Sequence, residues 1–251
     1  MKRKTRILLI LLGTIAVAAL VVVANVSRSR SQVRGVEVSI RYGHAPILVD
    51  EQTVVDSILK CVPRLQAMQV KNVNRNAVSA AASLVPYIKD VSTSISVSGK
   101  VVVRATQRRP IARLFYGGKE LYFDADGGIM PVSQHGDCDV LVAGGSFTEP
   151  LRVDSLNDQM AALLSLARFL DDQSEYSGLI DQIFIGNDGD IMMVPKLGDH
   201  VIELGAAENL EEKFSNLMTF YRMGMPRAGW NTYSKVSLKF NNQVVCTKEK
   251  K

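Results

Sequence analysis

Cysteine and histidine are scarce in this chain, and the few present lie far apart. Cys61, Cys138 and Cys246 are the three cysteines among 251 residues, with no CxxC spacing, so neither a zinc cluster nor a thioredoxin-like redox pair is indicated. They allow one disulfide in an oxidising compartment. Nothing in their spacing chooses the pair, and free buried thiols fit as well. His44, His135 and His200 show no HExxH or related ligand spacing, which leaves no metal site to propose. There is no GxGxxG and no P-loop, so nucleotide binding has no support. Gly144-Gly-Ser146 is not a GxSxG elbow and has no partnered histidine nearby. These absences remove the usual motif-borne cases for an enzyme, a cofactor or a small-molecule substrate. Internal repeats and low-complexity tracts are also lacking. Acidic residues are missing from residues 1–34, which hold seven of the 30 Lys/Arg. The remaining 23 basic residues face all 25 acidic ones. The formal charge of +5 is therefore local to the N-terminus, and the body has no global attraction for nucleic acid.

What is present begins with one long apolar run. Ile7 to Val26 (ILLILLGTIAVAALVVVANV) contains no charge and no proline, with Thr14 and Asn25 its polar members. At about 1.5 Å per residue, such a helix spans about 30 Å, the thickness of a bilayer core. A cleaved signal peptide has a shorter core, about 7–15 residues, and ends in a small-x-small site; here Ala24 precedes Asn25 and Val26. The run predicts one transmembrane helix, residues 7–26, after a six-residue head bearing Lys2, Arg3, Lys4 and Arg6. That basic head places the N-terminus in the cytoplasm and the body, following a polar linker at 27–34, outside it.

The body reads as α+β, in two domains. In residues 35–107, Val36, Val38 and Ile40 alternate as a half-buried strand. Asp50 and Asn74 are placed to cap two helices, one burying Val54, Val55, Ile58 and Leu59, the other Val78, Ala81, Ala82 and Val85. Val91–Val97 and Lys100–Thr106 flank the turn signal Ser98-Gly99. The order is β-α-α-β-β. Residues 108–246 carry short strands around glycine-rich turns, mostly antiparallel, with two helices. Ser155–Asp158 has the form of a capping box opening the first helix. The second, through Leu210, Phe214, Leu217 and Tyr221, is expected to end at Gly224. Tyr233–Phe240 and Gln243–Cys246 are expected to close the chain as two strands around Asn241-Asn242, with 247–251 as a tail.

Two acidic loops invite a calcium reading, Asp124-Ala-Asp126-Gly-Gly128 and Asn187-Asp-Gly-Asp190. In the first, an EF-hand would need glutamate where His135 stands. Both are expected to be tight turns, glycine supplying positive φ and aspartate the cap. Gln107-Arg108-Arg109-Pro110 is a basic knot at a domain junction.

At that junction the chain resembles the FtsQ/DivIB family of single-pass bacterial cell-division proteins. Leu84-Val-Pro-Tyr-Ile88 resembles the family's stretch ahead of the POTRA hairpin. VVVRATQRRPIA (Val101–Ala112) resembles its strand and Arg-x-Pro-x-Ala junction, here Arg108, Pro110 and Ala112. Tyr122-Phe-Asp124 with Asp126-Gly127 and Met130-Pro-Val-Ser133 resembles the opening of its β domain, and YSKVSLKFNNQVV (Tyr233–Val245) its terminal strand pair. The resemblance implies a POTRA-like domain over 35–107, then the β domain over 108–246. It also implies a non-catalytic divisome scaffold in the cell inner membrane that links early and late division proteins and binds an FtsB/FtsL-like pair. The rival reading is a POTRA-containing transport or envelope-assembly component. A scaffold without a pocket binds through surface, and the last strands offer an open sheet edge. The residues expected to bind the partner are therefore Tyr233, Val236, Leu238, Phe240, Gln243, Val244 and Val245, some of which must face the core.

Overall fold

The computed structural model describes residues 12–20, 22–23, 30–146 and 158–248. Residues 12–20 and 22–23 are helical, whereas the rest of the Ile7–Val26 run lies outside the described residues. Among the described residues no helix is long and apolar enough to cross a membrane. The chain divides into two compact units, one of Met1–Gly43 with Ile47–Gln107, the other of His44–Pro46 with Arg108–Lys251.

The first unit follows the order β1 (Val36–Arg41), α1 (Glu51–Cys61), α2 (Arg75–Ser83), β2 (Ile88–Ile95), β3 (Val101–Gln107). Asp50 caps α1 by accepting the Thr53 N–H at 2.7 Å, and Asn74 caps α2 by accepting that of Ala77 at 3.2 Å. Each cap satisfies a first-turn donor that has no partner within its helix. The sheet order is β1-β3-β2. The β2–β3 hairpin closes through Gly99, whose φ of +84° suits glycine. β1 lies parallel to β3, which a hairpin cannot connect, so the helical pair forms part of the crossover. Val54, Ile58, Val78 and Ala82 meet Val38, Ile40, Val101 and Val103 in one core.

The second unit is a nine-stranded sheet. Its strands are β4 (Pro110–Tyr116), β5 (Lys119–Asp124), β6 (Ile129–Pro131), β7 (Leu141–Gly145), β8 (Ile180–Ile185), β9 (Ile191–Pro195), β10 (Val201–Gly205), β11 (Tyr233–Ser237) and β12 (Val245–Lys248). Their order is β12-β11-β10-β9-β8-β7-β4-β5-β6. Five of the eight neighbouring pairs are antiparallel; β4–β7, β7–β8 and β10–β11 are parallel. Those parallel pairs explain the helices. α3 (Asp158–Asp172) lies in the β7–β8 crossover and α4 (Leu210–Thr219) in the β10–β11 crossover. Their buried Leu163, Leu166, Leu170, Phe214 and Leu217 share one core with Ile183, Ile185, Ile191, Met193, Ile202 and Val236. The predicted capping residues Ser155 to Asn157 lie outside the described residues.

Two boundaries differ from the sequence reading. The helix does not stop at Gly224. It passes through a π-helical turn, Phe220–Gly224, into α5 (Met225–Ala228) and ends at Gly229, φ +91°. Gly224 keeps helical angles, and a Cβ there would meet the Phe220 ring at 2.7 Å, so this glycine serves packing and not termination. The Asn241-Asn242 turn does form, with Asn242 at φ +56° and the Gln243 N–H donating to the Phe240 carbonyl at 3.3 Å, but the last strands stop short of it. β11 ends at Ser237, Ser237 pairs with Val245, and 238–244 form an irregular connection. The Leu238 N–H donates to the Glu203 carbonyl at 2.8 Å, and the Asn242 N–H reaches Glu212 at 3.2 Å; these tertiary partners keep the ladder from continuing up to the turn.

Candidate partner-docking edge

The junction residues have structural tasks. Arg108 opens the second unit, and its guanidinium lies 2.7 Å from the buried carboxylate of Asp124. The other oxygen of Asp124 accepts the N–H of Asp126 at 2.9 Å and of Gly128 at 2.6 Å. The loop is thus a tight turn between β5 and β6, with Gly127 at φ +87° and its aspartate directed to backbone and arginine. A Cβ at Gly128 would collide with the Arg108 guanidinium and lie 2.8 Å from the Asp124 carboxylate. Pro110 starts β4, and Ala112 is fully buried between Phe123 and Leu141. In the second loop, the Asp190 N–H donates to Asp188 at 3.1 Å, Gly189 takes φ +81°, and Lys239 pairs with Asp190. Among the described residues, no group of three or more His, Cys, Asp or Glu could hold a metal ion. The three cysteines are free thiols, Cys61 exposed, Cys138 buried and Cys246 half-buried, with burial raising the pKa of the latter two.

The sheet has two edges of different character. β6 is three residues long and ends in Pro131, a blunt edge without a continuous ladder. β12, residues Val245-Cys-Thr-Lys248, pairs on one side with β11 and with no other strand among the described residues. An antiparallel ladder directs alternate N–H and C=O groups toward and away from the neighbour, so this strand presents unpaired backbone groups outward.

The residues expected at the partner surface separate by burial. Val236 (0% exposed) and Leu238 face the core, and Tyr233, Val244 and Cys246 pack against it. Phe240 (56% exposed), Gln243 and Val245 are at the surface. A groove of about 570 Å³ lies beside the edge, lined by Phe220, Met223, Arg227, Tyr233 and Val244. It borders the π-helical turn, a feature that often accompanies functional sites. Behind it, the ring of buried His200 lies 2.6 Å from the Tyr221 hydroxyl, and Trp230 stands edge-on to Tyr221 at 5.2 Å. Burial lowers the pKa of His200 and raises that of Tyr221. Sequence reasoning missed this cluster. Tyr221 is legible as the last member of the helix face, but nothing local links it to His200.

Residues 109–247 match a family model described as FtsQ/DivIB, C-terminal related. Over 170 residues, 65% of its length, the chain is 25% identical to the cell division protein FtsQ of Rhodothermus marinus. The match spans 62% of that relative, so the chain covers less than two thirds of the relative's length.

Proposed function

The chain belongs to the FtsQ/DivIB family, and from that membership we propose that it is a non-catalytic scaffold of the bacterial divisome. In this reading Ile7–Val26 anchors it in the inner membrane, 35–107 is a POTRA-like recruitment domain, and the β domain binds an FtsB/FtsL-like pair outside the cytoplasm. The observation carrying the reading is the open β12 edge at the end of a nine-stranded sheet within the matched domain. An extended segment of the partner adds to β12 as a further strand, its backbone giving affinity and its side chains specificity. Phe240, Gln243 and Val245 supply side-chain contact, while Val236 and Leu238 hold the strands from below.

Proline scanning tests this. Val244 lies one residue before β12 and packs against the core, so proline there probes the connection and not the ladder. Val245→Pro, Cys246→Pro and Thr247→Pro each remove one N–H, directed alternately toward β11 and toward the partner. Where the lost donor points outward, co-purification with divisome proteins should disappear while the melting temperature moves by less than about 2–4 °C, the equivalent of about 1 kcal/mol. Retained binding in such a variant refutes edge docking. Lys248→Ala is expected to be nearly neutral, as a screened rim charge usually is.

A further inference from the structure

The charges of the first unit are sorted by end. β3 runs from Val101, beside the start of β1, to Gln107, whose side chain accepts the Leu48 N–H at 2.7 Å shortly before α1 begins. At about 3.3 Å per residue these ends stand roughly 20 Å apart, more than two Debye lengths of about 8 Å. Asp50, Glu51 and Asp90 lie at the Gln107 end, Asp90 opposite Thr106, and Asp56 lies midway along α1. Arg41 and Lys89 accompany these acids, so that end is mixed. The Val101 end is basic. Arg34, Arg64, Lys71, Arg75 and Lys100 are all exposed there, and the acid among them is Glu37, 3.2 Å from Lys100. Arg75 opens α2, whose first turn holds no acid. A cation at that position opposes the helix dipole, so the helix itself gives no reason for it.

The basic end is also where the chain enters the unit. The Ser31 carbonyl accepts the Val70 N–H at 2.9 Å, the Val33 N–H donates to Met68 at 3.0 Å, and the Arg34 N–H to Gly99 at 3.0 Å. From Val26, the last residue of the apolar run, to Ser31 is five residue steps, which span at most about 18 Å whatever their path. The β2–β3 hairpin turns at this end, closed by the Gly99 N–H on the Ser96 carbonyl at 3.0 Å. Val97 occupies the turn and is 82% exposed. Turn positions favour Gly, Pro, Asn, Asp and Ser, so an aliphatic side chain held out at the tip has no local cause.

We infer that this end of the first unit docks on the anionic lipid surface around the anchor, with Val97 in the headgroup layer and the five cations over lipid phosphates. The inference rests on the reading of Ile7–Val26 as a membrane anchor. Attraction of Lys and Arg to anionic lipid falls off within a Debye length, so the short tether and the sorting of charge by end are both needed. An acidic protein would meet the same cations, but it would not be held here by the tether and would give the aliphatic tip no apolar layer to enter. Docking holds the mixed end of the unit outward.

The test uses the full chain in vesicles, with Cys61→Ser, Cys138→Ala and Cys246→Ser leaving one introduced thiol for a fluorophore. One set of vesicles is equimolar phosphatidylglycerol and phosphatidylcholine, the other phosphatidylcholine alone, and both carry a lipid with a nitroxide headgroup. In the anionic set, a label at Val97→Cys should be quenched at least about twofold more than one at Leu84→Cys, which is 67% exposed after α2 at the other end of the unit. Arg64→Gln, Lys71→Gln and Arg75→Gln together should lower quenching at Val97 to its level in phosphatidylcholine alone. A Val97 label quenched no more than the Leu84 label overturns the inference and leaves the basic end to an acidic protein. Equal quenching in the two lipid sets overturns it as well. Extraction with alkaline carbonate judges the anchor separately: a chain that is extracted sinks the anchor reading, while the quenching comparison still decides the docking.

Discussion

Replacing Asp124 with alanine removes three interactions at once from a site where water offers little substitute. The carboxylate is buried, with one oxygen on the Asp126 and Gly128 N–H groups and the other 2.7 Å from Arg108. Deleting one member of a buried ion pair costs about 3–5 kcal/mol, because the other charge stays without its partner. The Arg108 side chain is 25% exposed and recovers part of its hydration, which moves the expectation to about 3 kcal/mol. For a unit of this size that lowers the melting temperature by roughly 6–12 °C. Asp124→Asn keeps an acceptor for the two N–H groups and loses the charge, so it should cost about 1–2 kcal/mol. Combining Asp124→Ala with Arg108→Ala should give less than the sum of the single losses, with a coupling of about 1–3 kcal/mol. The assay is urea and thermal unfolding of residues 35–251, with and without a chelator. A loss below about 1 kcal/mol for Asp124→Ala would refute the argument that this turn and Arg108 hold each other in place within the second unit. So would a fall of many degrees in the unmodified protein on chelation, which would make the loop a cation site.

Two further predictions concern pH and topology. Burial holds the folded-state pKa of His200 below 6.5, against the favourable charge of Asp199, so the unfolded chain takes up this proton first. The contribution of His200 is complete above about pH 6.5 and is lost as pH falls through the lowered folded value. His200→Gln should flatten urea stability against pH as pH falls below about 6.5, and equal slopes in the two proteins would remove His200 as the cause. A reporter active only outside the cytoplasm, fused after Lys251, should be active. Two lysines introduced between Ala16 and Leu20 should abolish that activity, at about 2.5–3.5 kcal/mol per charge near the helix centre.

The sequence by itself determined the features that depend on neighbours a few residues away. Asp50 and Asn74 cap their helices because a short side chain reaches the N–H three residues on. The β1–β3 pattern and the turns at Gly99 and Gly127 likewise follow from alternation and from the freedom of glycine at positive φ. The family resemblance was legible too, since order and spacing of motifs survive without coordinates.

Tertiary structure alone decided the rest. Alternation places Val236 and Leu238 on one face, but only the sheet shows that this face is the core, because either face of an isolated strand could be buried. The pairing of β4 with β7 and of β10 with β11 joins strands distant in sequence, and no local signal encodes such partners. Asn241-Asn242 forms the turn its residues favour, yet the bonds from Leu238 to Glu203 and from Asn242 to Glu212 stop the paired strands short of it. Gly224 carries a stop signal, yet the Phe220 ring occupies the space a side chain would need, and the helix continues. The position of β12 at the sheet's end is a property of all nine strands together. Local hydrogen bonding sets caps and turns within a few residues, whereas edges, faces and ion pairs depend on which distant segments fill the remaining space.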